Sequence, residues 1–110
     1  MKLGGTLAGI AVSGHTLAEL MERAGVRRVD LLKLNIEGAE QPVLAAATKA
    51  LEAVAHVAVA CHDFRTASNG DPALRTFDGV VDLLRTAGFT LRTRPHDPRP
   101  WVACMVYGSR

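Results

Sequence analysis

"VDLLKLNIEGAEQPVL", Val29 to Leu44, is the stretch whose reading decides the fold. Its first half reads as a strand, Val29 to Ile36. Leu31, Leu32, Leu34 and Ile36 form a nearly continuous apolar run, the pattern of a strand covered on both faces. Gly38 supplies a turn. Pro42 stands where the first turn of a helix tolerates a residue without an N–H. The helix is predicted to run to about Glu52, with Val43, Leu44, Ala47 and Leu51 facing inward. Against this greasy background stand Lys33, Asn35, Glu37 and Glu40, polar groups that a sheet does not need.

Working outward, the preceding segment "GHTLAELMERAG" carries its own helix signals. Thr16 is an N-cap, Glu19 completes a capping box, and Gly25 ends the helix. Leu17, Leu20 and Met21 form its apolar face. "GIAVSG" reads as a short strand ending at Ser13 and Gly14, and residues 1–9 show little pattern. Downstream, "VAHVAVACHDF" is a second buried strand, Val54 to Cys61. "RTASNGDPA" is polar, with Asn69-Gly70 and Asp71-Pro72 as turn signals. A helix from about Leu74 to Ala87 has the stripe Leu74, Phe77, Val80, Val81 and Leu84, and Gly88 caps it. "FTLRTRP" and "WVACMVYG" read as two strands joined by a hairpin loop, His96 to Pro100.

Alternating strands and helices predict an α/β fold with a mainly parallel sheet, right-handed crossovers and helices on its faces. A C-terminal antiparallel hairpin closes it. The length of 110 residues points to a single domain, 1–110.

Composition narrows the partners. Apolar residues make up 48% and charged residues 22%, ordinary for a globular protein. A net charge of +2 with scattered arginines argues against a nucleic-acid or membrane-surface partner. No window holds the roughly 18 apolar residues of a membrane span. The start has a short apolar run broken by Gly4, Gly5 and Gly9, with no cleavage site after it, so the protein is read as cytoplasmic. Cys61 and Cys104 lie inside apolar runs and read as core residues rather than a disulfide framework. "GGTLAG" is not G-x-G-x-x-G and follows no strand, and no G-x-S-x-G is present.

In an open α/β sheet, ligands bind beyond the carboxyl ends of the strands. The first strand ends in Asn35-Ile36-Glu37 and the second in Cys61-His62-Asp63. If the two are adjacent and parallel, both polar groups share one rim. Strand alternation puts Lys33, Asn35 and Glu37 on one face. Each residue also has a plainer role. Glu40 suits the N-terminal end of a helix dipole, Glu37 can cap its own turn, and His62 and Asp63 can bond to loop backbone. A lysine inside a buried strand needs a counter-charge, which Glu37 or an acid from a neighbouring strand would supply. His62, Asp63 and Glu37 lack a metal-ligand spacing, so no metal is expected.

"VDLLKLNIEGAEQPVL" closely resembles the signature of FkbM-type methyltransferases, D-x-x-K-x-D-x-E-G-x-E before an apolar helix. Asp30, Lys33, Glu37, Gly38 and Glu40 match it, and Asn35 stands where that family usually has Asp. The preceding "HTLAELMERAGVRRVD" and the later Gly88-Phe89 are also similar, so the likeness runs from about Val12 to Gly108. The resemblance implies a Rossmann-like methyltransferase that uses S-adenosylmethionine and a small-molecule methyl acceptor, often a hydroxyl of a sugar or metabolite. It implies Glu37, His62 and Asn35 as catalytic residues, Asn35 and Glu37 as cofactor-binding, and Glu40 and Asp63 as substrate-binding. A full domain of that class has a glycine-rich half that this chain lacks, so the chain resembles the C-terminal half. A non-catalytic domain acting as an oligomerisation or interaction module is the alternative that follows, with a homo-oligomer or the missing half as partner.

Overall fold

The computed structural model describes residues 5–7, 10–65 and 72–110. The glycines at positions 4 and 9 and the turn signal at 69–71 lie outside the described residues.

β1 (Gly5–Leu7) and β2 (Ile10–Val12) form a small antiparallel ribbon apart from the main sheet. β2 is the short strand read from "GIAVSG"; β1 had no sequence signal. Helix α1 (Leu17–Ala24) begins as its capping box dictates: Thr16 Oγ1 accepts from the Glu19 N–H, and Glu19 accepts from the Thr16 N–H. That backbone hydrogen bond holds the Glu19 carboxyl down at about 2. Gly25, at φ +67°, closes the helix in the left-handed region.

The main sheet has four strands: β3 (Val29–Leu34), β4 (Val54–Ala60), β5 (Thr90–Thr93) and β6 (Met105–Ser109). Their spatial order is β3–β4–β6–β5. β3 and β4 are parallel, and β6 is antiparallel to both β4 and β5. The antiparallel closure is therefore present, but β6 inserts between β4 and β5 instead of extending the sheet. The sequence explains this. β6 offers buried Val106 and Gly108 to two neighbours, whereas β5, "TLRT", is polar and suits an edge.

Helices α2 (Glu40–Ala46) and α3 (Phe77–Thr86) connect the strands. Leu44 and Leu51 from the first connection and Val80 and Leu84 from α3 pack on Val57, Val59 and Val106, all at most 2% exposed. Leu17 of α1 reaches the same core. These helices serve one face only, which corrects the expectation of a sheet covered on both. The other face carries Leu31, 60% exposed, with Lys33, His56 and Tyr107. What looked like a continuous apolar run in β3 is an alternation of half-buried and exposed positions.

Several boundaries also differ. α2 stops at Ala46, and a 3₁₀ turn, Ala50–Ala53, swings Leu51 into the core. α3 starts at Phe77 because Asp63 Oδ1 accepts the N–H groups of Thr76 and Phe77; Pro72–Leu74 is a separate 3₁₀ turn. "WVACMVYG" is not one strand: Pro100, at the first helical position, opens α4 (Pro100–Ala103) before β6. Ahead of α4, Asp97 takes two side-chain bonds from Arg99, which hold its carboxyl at about 2.

Gly108 lies where the sheet and the Phe89 segment meet. A Cβ there would come within 2.8 Å of Val57 Cγ2 and 3.1 Å of Leu91 Cδ2. Gly108→Ala is expected to lower stability by about 1–3 kcal/mol through overpacking, measured by urea denaturation. A loss below about 0.5 kcal/mol, the range of neutral surface changes, would contradict this packing.

Candidate functional site at the carboxyl rim of β3 and β4

The parallel register pairs Lys33 with Ala58 and Leu34 with Val59, so β3 and β4 end side by side. The residues that follow each strand, Asn35 to Glu37 and Cys61 to Asp63, meet at one rim of the sheet. Beside it is a hollow of about 330 Å³ lined by Lys33, Asn35, His62, Phe64, Trp101 and Tyr107, among others. A larger cleft of about 450 Å³ lies between α2 and α3, lined by Gln41, Asp82 and Thr86 among others, with no strand end in its wall.

The sequence-derived candidates divide here. Asn35 and His62 line the hollow; Glu37, Glu40 and Asp63 do not. Lys33 also lines it, and it is exposed rather than buried. Neither a pairing with Glu37 nor one with an acid of a neighbouring strand is present: Lys33 makes no ion pair among the described residues, because its face of the sheet is the open one. Glu37 does not continue the strand alternation. Its φ of +50° turns the chain away, and its exposed carboxylate meets Arg65 at 3.4 Å. Such an exposed pair contributes about 0–1 kcal/mol.

Glu40 is fully buried at the start of α2. Its Oε2 accepts the Gly38 N–H at 2.7 Å, and its Oε1 accepts the Thr76 hydroxyl at 3.3 Å. Gly38, at φ +103°, adopts a conformation that L side chains rarely reach, and this presents its N–H to the carboxylate. The E-G-x-E part of the opening stretch is thus a turn followed by its own anchor.

The same carboxylate stands behind His62. Glu40 Oε1 is 3.7 Å from His62 Nδ1, beyond hydrogen-bond length but within ion-pair range. His62 is 8% exposed, its ring tilted against Phe64 with centroids 5.7 Å apart. Nδ1 is buried and makes no hydrogen bond among the described residues. Nε2 is therefore the ring nitrogen left for the hollow. Asp63, next in sequence, is spent on the start of α3.

Sequence reading missed Phe64, Trp101, Tyr107 and Thr76. For Tyr107 a signal existed: it alternates with buried Val106 and Gly108, so it had to face the other side. Trp101 had none, since it reads as strand. Cys61 and Cys104 are free. Burial pushes the Cys61 thiol up to about 12 and raises Cys104 as well, so neither is a ready nucleophile. Among the described residues no three His, Cys, Asp or Glu side chains gather as a metal site. None of their helices is long and apolar enough to cross a membrane.

Comparison with known families bears on this rim. A family model described as "Methyltransferase FkbM domain" matches residues 3–91. The chain belongs to this family. No curated protein and no solved structure gives a match. Membership in the FkbM domain family implies methyl transfer and hence a methyl donor. The buried Glu40 and the turn at Glu37-Gly38 lie inside the matched range.

Two outcomes check this geometry. Glu40→Gln puts an amide N–H₂ where two donors converge, so it should cost about 1–3 kcal/mol in urea denaturation; a cost below about 0.5 kcal/mol would contradict the buried network. At pH 8 the Cys61 thiol, being neutral and buried, should react with iodoacetamide only on unfolding. Rapid native alkylation of Cys61 would contradict its burial.

Proposed function

We propose that this FkbM domain chain takes part in transfer of a methyl group from S-adenosylmethionine to a hydroxyl of a small metabolite or sugar. In this reading the acceptor sits in the hollow. The observation that carries it is His62: a nearly buried imidazole at the strand rim, with Nδ1 toward the Glu40 carboxylate and Nε2 left for the hollow. We read the sheet as part of a Rossmann-like sheet, in which β3, β4 and β5 run the same way and ligands gather beyond their carboxyl ends.

The residues at the end of β3 suit a sulfonium donor. The Asn35 amide and the exposed Glu37 carboxylate match its hydroxyls and its positive charge, whereas the Lys33 cation within the hollow would repel it. The donor would therefore lie toward Glu37, and the acceptor toward Lys33 and His62. Bound S-adenosylmethionine supplies an electrophilic methyl group. Further contacts to the donor would come from outside the described residues.

The chain's own part is to hold and deprotonate the acceptor. As the hydroxyl oxygen becomes a nucleophile, its proton passes to His62 Nε2, with the Glu40 carboxylate 3.7 Å from Nδ1 behind the ring. Asn35 is an amide and takes no proton; it orients by hydrogen bonding. Glu40, with both oxygens engaged, acts through His62 as a positioning residue. Asp63 holds the same segment to α3. An oligomerisation module is the second reading. It is favoured by β3, which is a sheet edge carrying Leu31 at 60% exposure.

The test is transfer of tritiated methyl from S-adenosylmethionine to a panel of sugars and hydroxy acids. Label is expected in the acceptor, and His62→Gln should lower kcat by about 10²–10⁴-fold with little change in KM. Wild-type turnover in His62→Gln would overturn the assignment. Stable oligomers by light scattering, with no donor binding by calorimetry, would favour the second reading.

A further inference from the structure

Resting on that reading of the hollow, we propose that the acceptor carries an anionic oxygen group, a carboxylate or a phosphate, and that Lys33 holds it. Three independent observations converge on this class of substrate.

The first is register. Lys33 pairs with Ala58, Ala58 with Tyr107, and Tyr107 with Arg92, so one row crosses β3, β4, β6 and β5 on the open face. Its two ends are cations, its middle is a methyl group, and Tyr107 stands between. Ala60, the next residue of β4 on that face, also lines the hollow. The small side chain of Ala60 leaves a low floor in a wall that also holds Lys33 and Tyr107. A ligand lying there meets an ammonium at its edge.

The second is charge. The hollow is lined by Lys33 and His62, and among the described residues no Asp or Glu is in its wall. The nearby carboxylates are committed elsewhere: Glu37 to Arg65, Glu40 to Gly38 and Thr76, Asp63 to the start of α3. Lys33 and Arg92 make no ion pair among the described residues. A cation set into the wall of a hollow without a counter-charge from the chain is completed by one from the ligand.

The third is spacing along β3. Lys33 stands two residues before Asn35, about 7 Å back from the rim. The anion therefore rests on the sheet while the hydroxyl meets His62 at the edge. That span suits a hydroxy acid, a uronic acid or a sugar phosphate rather than a large neutral acceptor.

Trp101 is the only tryptophan of the chain and lines the hollow, so its fluorescence reports occupancy. The full chain is titrated without donor, at constant ionic strength, with D-glucose 6-phosphate, D-glucuronate and D-glucose. A saturable response to at least one anion is expected, with D-glucose at least about tenfold weaker. Lys33→Gln should weaken the anion about tenfold and leave D-glucose unchanged. A response to the phosphate alone or to glucuronate alone supports the proposal and assigns the group. Absence of a saturable response to either anion, equal affinity for D-glucose, or anion affinity unaltered in Lys33→Gln would overturn it. Binding of D-glucose that depends on His62 but not on Lys33 would overturn the anion and leave methyl transfer standing.

Discussion

The buried carboxylate of Glu40 is the constraint on which the rim depends. A carboxylate removed from water must have its oxygens satisfied, and here the donors come from separate parts of the chain. Gly38 gives a backbone N–H from the turn after β3, and Thr76 gives a hydroxyl from the start of α3. One side chain thereby fixes the exit of β3, the entry of α2 and the approach of α3. Asp63 secures the exit of β4 to α3 by accepting two backbone N–H groups. Thr76 takes part in both contacts, its hydroxyl serving Glu40 and its N–H serving Asp63. The ends of two parallel strands are thus tied to one helix start, and the hollow between them keeps its shape.

This arrangement explains why polar residues interrupt a greasy strand. β3 and β4 build the sheet through Leu32, Leu34, Val57 and Val59, which face the helices. Their other face is open, so Lys33 and Asn35 incur no burial cost there and are free to meet a ligand. Glu37 leaves the strand through a positive φ, which places its carboxylate on the outer side of the rim. One short segment therefore offers a cation and an amide to the hollow, a carboxylate to its outside, and a second carboxylate to the interior behind His62.

Much of this was legible in the sequence, and the parts that were not have physical causes. The capping box at Thr16 and Glu19 and the glycine at position 25 are local signals, and α1 formed where they said. The parallel pairing of β3 and β4 followed from the alternation of elements, so the meeting of Asn35 with His62 at one rim could be anticipated. The single-sided packing could not. Leu31 is apolar by composition, and its 60% exposure is set by which helices the chain supplies, a tertiary fact. The same blindness made Lys33 look buried and in need of a counter-charge. Glu40 looked like an ordinary acidic residue at a helix start, because its true partner, Thr76, is 36 residues away. Trp101 entered the hollow because Pro100 opened a helical turn inside a run that reads as strand.

The tautomer of His62 tests the account at its centre. With Nδ1 buried against the Glu40 carboxylate, the neutral imidazole must carry its proton on Nδ1 and present the Nε2 lone pair to the hollow. Nitrogen-15 long-range correlation spectra of the chain report this directly. The account predicts a protonated Nδ1 and a pyridine-like Nε2 for His62. A proton on Nε2, with Nδ1 bare beside the carboxylate, would contradict it.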